Sequence, residues 1–349
     1  MDNVRYIGKA RMRKEESQSD KRLLVFNCHE AWVNQLGVLG NQLDIIVGLN
    51  GRHKKRWDER IRPIPANSRL VTLPEAVRSQ NLYHCIITHN ITDLLDIKER
   101  PEPRLLVIHS TLEGRAIEEK SNVTPYKMKE MVHKYLESVG GHVVAVSLLK
   151  GRSWGFTEDI VPFVVDVDEY LPYRGETAAG LRVCNFIESR KNILSWDFYK
   201  KAFAGIPVQL VGYNPGMAEV RATDNWDHLK RLLQSHRFYI HTASPKLEDG
   251  YNMACLEAMA AGLPVIGNRH PTSPIEHGLS GFLSNDPDEL RRYARMLLED
   301  RDLAERIGHR ARETVKERFS IKRFKEGFIR SIEIAHQKWE CKRTMLLQL

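Results

Sequence analysis

No apolar run in the 349-residue chain approaches the roughly 20 residues needed to cross a bilayer. The first 22 residues, MDNVRYIGKARMRKEESQSDKR, are charged rather than apolar, which argues against a secretory signal. Cysteine is scarce: Cys28, Cys85, Cys184, Cys255 and Cys341 are odd in number and widely scattered. They show neither CxxC nor Cys/His ligand spacing, so buried thiols in a reducing cytoplasm are expected rather than a disulfide framework. Zinc-finger and RNP-type signatures are missing, as is an aromatic-interleaved basic stripe, so nucleic acid is not an expected partner. The chain also lacks internal repeats and low-complexity tracts.

What is present is the composition of a soluble globular protein, 42% hydrophobic and 28% charged. Its length favours two domains over one core. Net charge is +8, with basic excess in the N-terminal residues and in RHKKRWDERIR, Arg52 to Arg62. Either run reads as a solvated face, or as a surface attracting an anionic membrane, a nucleic acid or a phosphorylated small molecule.

Short β-branched runs alternate with amphipathic stretches. RLLVFN, LDIIVG, SRLVTL, HCIITHN, RLLVIHS and HVVAVS predict buried strands in the first half. LRVCNF, PVQLVGYN, RFYIHTAS and LPVIGN predict a second series. The βαβ rhythm implies parallel sheets covered on both faces. A polar, Pro- and Gly-containing segment, Leu171 to Gly180, marks the domain boundary. The expected organisation is a basic tail (1–20), an N-terminal Rossmann-like domain (21–172), a C-terminal Rossmann-like domain (173–330) and a helical tail (331–349) that packs back on the first domain. Two doubly wound domains place a ligand cleft along their strand-to-helix loops.

The richest segment is SPKLEDGYNMACLEAMAAGLPVIGN, Ser244 to Asn268. It reads as a loop, then a helix ended by Gly262 ahead of Pro264. Backbone N–H groups of Gly250, Tyr251, Asn252 and Met253 at the helix mouth would suit a diphosphate. Glu257 follows Asp249 by eight residues, and its side chain would tilt back toward that mouth. Taken alone, Asp249 also reads as a helix cap and Glu257 as a solvated helix position.

The whole segment resembles the retaining family-four (group 1) glycosyltransferases of the GT-B fold. Their signature is an acid, seven residues, then Glu, Ala-Met-Ala and Gly-x-Pro-Val. That register selects Asp249, where the family usually has Glu, and leaves Glu248 one residue early. The resemblance implies that Asp249 contacts the transferred sugar and that Glu257 binds the ribose of a nucleotide-diphosphate sugar. Glu248 stays open as a substitute donor contact. VIHST places His109 where the family has a sugar-facing His, and THNITDLL places His89 at another strand end. VCNFIESRKNILSW supplies Arg190 and Lys191 for the donor phosphates, closer together than the family's pair. HPTSPIEHGLSGFLS resembles the family's Gly-Gly-x-Pro-Glu loop, with Ser273 in the Glu register. NCHEAW stands where the family has a longer Gly-Gly loop. Asp166 to Asp168 imitates a metal-binding Asp-x-Asp but fits the family's Gly-Val-Asp element entering the hinge.

The resemblance therefore implies a metal-independent retaining glycosyltransferase with no cofactor beyond its donor. Its acceptor would be a glycan, a lipid-linked molecule or a small molecule. Cytoplasmic residence is expected, and the basic charge suggests an anionic acceptor or peripheral contact at the inner face of the membrane. A sugar-nucleotide hydrolase or epimerase on the same fold, and a non-catalytic sugar-nucleotide or polyanion binder, remain alternatives.

Overall fold

A computed structural model describes residues 21–49, 56–120, 122–170 and 172–348. The N-terminal tail and residues 52–55 of the basic run lie outside the described residues. In the first sheet β1 is Arg22–Phe26, β2 Gln42–Val47, β3 Ser68–Thr72, β4 Cys85–Thr88, β5 Arg104–Ile108 and β6 His142–Ala145. Their order is β3-β2-β1-β4-β5-β6, the doubly wound arrangement, and every pairing is parallel. The second sheet holds β7 Thr177–Val183, β8 Val208–Val211, β9 His236–His241, β10 Val265–Gly267 and β11 Gly281–Leu283. It too is all parallel, ordered β11-β10-β9-β7-β8.

Near-continuous apolar runs become central strands because helices cover both faces, leaving no side for water. Strands β4, β5 and β6 are buried at every residue. The sequence pattern does not reveal β11, whose GFL lies within a stretch that reads as turn. Three residues are too few for periodicity, and the parallel ladder to β10 defines the strand.

The Ile321–Leu347 helix begins at Ser320, whose hydroxyl accepts from Arg323 N. It buries Phe324, Phe328, Ser331, Ile332 and Ala335 along one stripe. Its latter part packs on β5 and β6 of the first domain. Contacts there include Trp339 Nε1 donating to Pro101 O at 2.6 Å and Arg330 pairing with Asp159 at 3.1 Å. Apolar packing also continues through the junction, where Tyr251 meets Phe163 and Phe319 edge-on at 6.3 and 5.4 Å.

Candidate active site

Strand ends and helix starts from both domains converge on the loop between β9 and the Met253–Ala260 helix. That helix is capped by Asn252, whose Oδ1 accepts from Cys255 N at 2.9 Å. Asp249 is therefore not the cap. It is fully buried, and neither carboxylate oxygen makes a hydrogen bond. Its ion-pair partner is Lys150, with Nζ 3.3 Å from Oδ2. The same ammonium lies 2.7 Å from Glu248 Oε1. Two adjacent carboxylates of the second domain thus share one buried cation of the first.

The sequence pattern gives Lys150 no role. It sits in the first turn of the Leu148–Trp154 helix, capped by Ser147, where a cation opposes the helix dipole. A lysine in the apolar run VVAVSLLKG was the available signal. Burial pulls its pKa down, but Glu248 and Asp249 outweigh that and hold it above the ordinary value. Burial pushes Glu248 up, and Lys150 and Arg190 reverse the shift to a net lowering. Lys150 and Glu248 are accordingly charged at neutral pH.

Further bridges join the domains around it. Thr111 Oγ1 donates to Leu247 O at 2.8 Å, and Arg190 Nε lies 2.9 Å from Glu118. Arg190 Nη2 is also 3.6 Å from Glu248. Arg190 ends the short Ile187–Arg190 helix, with exposed Lys191 next to it. The Gly250 amide is already engaged, donating to Thr272 Oγ1 at 2.8 Å. A Cβ at Gly250 would come within 2.7 Å of His270 Cβ, so the loop carrying Ser273 packs directly on the helix mouth. Ser273 Oγ accepts from Ile275 N at 3.3 Å. Tyr251 is buried, while Asn252 and Met253 are partly exposed at the mouth.

Glu257 is not a solvated helix position. It is 3% exposed and ion-paired with Arg62, while the Tyr170 phenol donates to it. Arg62 in turn stacks on Trp226 at 4.3 Å. Burial raises the Glu257 pKa, and Arg62 and Tyr170 offset this only in part. Arg62 closes the basic run that sequence alone reads as surface, yet its side chain is 6% exposed. Asp166 caps a one-turn 3-10 helix, Val167–Glu169, and Asp168 lies 3.5 Å from Arg312.

His89 follows β4 directly, as His109 follows β5. His89 Nδ1 and His109 Nε2 are 2.9 Å apart. His89 is buried, with Nε2 donating to Phe26 O at 2.9 Å, so both of its nitrogens are occupied. Trp32 packs edge-on against both rings. Burial, then His89 and Lys150, push the His109 imidazole well below its usual range. At the end of β9, His241 Nε2 contacts Asp249 O at 3.3 Å and anchors the acidic loop.

Burial pushes His89 to about 3 and His241 to about 4, from an ordinary value of 6.5. As pH falls below 6.5 the unfolded chain takes up these protons first. Their stabilisation is thus complete above pH 6.5 and lost progressively toward the folded values. The expected slope is about 1.4 kcal/mol per pH unit for each such histidine. Denaturant unfolding in chelator between pH 7 and 4.5 measures it, with His241→Gln giving a shallower slope; equal slopes in both proteins would contradict the assignment.

Two facing, parallel, doubly wound domains with an interdomain acidic loop define the GT-B class. Residues 190–326 match a family described as glycosyl transferase-like. A curated relative, the N-acetyl-alpha-D-glucosaminyl L-malate synthase of Bacillus anthracis, is 40% identical over 76 residues. That segment is 21% of this chain and 20% of the relative's length. Among solved structures, Anabaena HepE in complex with UDP and glucose aligns with TM-score 0.66 at 13% identity, over 90% of this chain and 99% of that one. The sucrose-phosphate synthase of Thermosynechococcus elongatus aligns with TM-score 0.60 at 15% identity, over 94% of this chain and 100% of that one. At such identities the structural likeness concerns the fold.

Proposed function

We propose that this protein transfers a sugar from a nucleotide-diphosphate sugar to a glycan, lipid-linked or small-molecule acceptor, with retention and without a catalytic metal ion. The observation that carries the reading is Asp249, a buried carboxylate at the domain junction whose two oxygens lack hydrogen-bond partners. A group in that state calls for a ligand's donors, and sugar hydroxyls supply them. The bound UDP and glucose of the HepE structure support a donor of this class.

In this reading Arg190 and Lys191 hold the diphosphate, and its negative charge displaces Glu118 and Glu248 from Arg190. Glu257 exchanges Arg62 for ribose hydroxyls, which requires the domains to part before the donor enters. Reclosure carries Lys150 and His109 back toward the sugar and excludes water. Departure of the nucleoside diphosphate builds charge on its oxygens, and the Arg190–Lys191 pair stabilises it. The leaving phosphate then helps deprotonate the acceptor on the same face. The +8 net charge favours an anionic acceptor or a cytoplasmic membrane edge.

A thermal-shift screen against UDP-, GDP-, ADP- and dTDP-sugars tests the donor. One of them should stabilise the protein selectively, by about 2.7 kcal/mol at 100 times its Kd. No response to any would sink the reading. With that donor, glycoside should form only when acceptor is added; free sugar accumulating without acceptor would identify a hydrolase.

A further inference from the structure

Three adjacent parallel strands, β1, β4 and β5, end side by side at the junction-facing edge of the first sheet. Just beyond those ends stand Cys28, His89 and His109. One donor atom from each lies within 4.8 Å of the others. We propose that Cys28 Sγ, His89 Nδ1 and His109 Nε2 form a binding site for a borderline-soft divalent cation, Zn2+ being the ion that fits best.

The donor set is the first reason. One thiolate and two imidazoles select Zn2+ or its chemical relatives over Mg2+ or Ca2+, which take oxygen ligands. Spacing is the second. Zn–S near 2.3 Å and Zn–N near 2.0–2.1 Å in a tetrahedron place N···N at about 3.3 Å and S···N at about 3.6 Å. The observed His89–His109 and Cys28–His109 separations are 2.9 and 3.9 Å. Those two pairs need adjustments of a few tenths of an ångström, and the Cys28–His89 pair, within 4.8 Å, closes by no more than about 1.2 Å to seat the ion. Orientation is the third. His89 Nε2 donates to the Phe26 carbonyl, leaving the Nδ1 lone pair toward the other two donors. That is the outer-shell hydrogen bond by which proteins fix the tautomer of a metal-binding histidine. Trp32 holds both imidazole planes at steep angles, 78° and 81° to its own. Cys28 and His109 are only half-buried, which gives an ion a way in and leaves its fourth position for water.

A metal here ties three strand ends together, so it should raise the melting temperature. It also occupies the Nε2 of His109 and withdraws that ring from the sugar. The latter effect rests on the proposed transfer reaction; metal binding does not, and is measured without it.

The test uses the full chain, stripped with EDTA and titrated with Co2+ as a spectroscopic substitute, then with Zn2+. One Co2+ per chain should bind, with a thiolate-to-cobalt charge-transfer band in the near ultraviolet that Zn2+ abolishes. Cys28→Ser should remove the band, and His109→Gln should weaken binding at least about 100-fold, beyond the typical cost of an outer-shell loss. Cys341→Ser, on the exposed end of the C-terminal helix, should change neither. Melting curves without metal verify that each variant folds. Because Cys28 and His109 are half-buried, they carry the test even where a His89 variant does not fold. A wild-type chain without the band, or a band surviving in Cys28→Ser, would overturn the site.

Discussion

Lys150→Met should lose about 3–5 kcal/mol of stability, because it strands two carboxylates at the domain junction. The Glu248 and Asp249 side chains are 14% and 1% exposed, too dry to be compensated by solvent. Nζ stands 2.7 and 3.3 Å from them, and Asp249 has no hydrogen bond to fall back on. Without the ammonium, the raising effect of burial on Glu248 loses its main opponent. The variant's deficit is then largest at neutral pH and shrinks as acidification protonates that carboxylate. Urea unfolding of both proteins at pH 7 and pH 5 measures this. A deficit below about 1 kcal/mol, the scale of an exposed pair, would show that water reaches the acids in solution.

The second large effect concerns Glu257 and Arg62. Glu257→Ala leaves a guanidinium buried against Trp226 and should also cost about 3–5 kcal/mol. The double variant Arg62→Met/Glu257→Met should recover most of that, since apolar replacement of a whole buried pair is often neutral or stabilising. Nucleotide binding separates structure from function here. If Glu257 holds the donor ribose, neither variant shows the donor-induced thermal shift, although the double variant is stable. A shift of wild-type size in the double variant would reduce Glu257 to an interdomain latch. Strong coupling in the double-mutant cycle is expected in either case, because the two groups touch.

Much of the fold was legible because parallel strands buried on both faces announce themselves as short β-branched runs. That holds for RLLVFN, HCIITHN and HVVAVS, but not for the three-residue β11. The 244–268 segment was legible as a candidate site because an acid, a helix mouth and a second acid are local in the chain. Lys150 and Arg62 were not. Each looked like an ordinary charge in its own neighbourhood, and each acquired its meaning from a carboxylate about 100 or more residues away. Sequence favoured Asp249 over Glu248 by register alone. Both acids turn out to share Lys150, while only Asp249 combines complete burial with two unsatisfied oxygens.

The same division separates the histidines from the cysteine. His89 and His109 stood out as polar residues ending apolar strands, whereas Cys28 showed no ligand spacing to anything. Sequence by itself determined the two doubly wound domains and the helix after the acidic loop, together with a resemblance to a glycosyltransferase signature. Those follow from periodicity, capping and turn chemistry, which act over a few residues. Tertiary structure decided which charges neutralise one another across the junction, and it gathered a thiol and two imidazoles within 4.8 Å. Strand order placed β1, β4 and β5 side by side, and that brings residues 28, 89 and 109 to neighbouring strand ends.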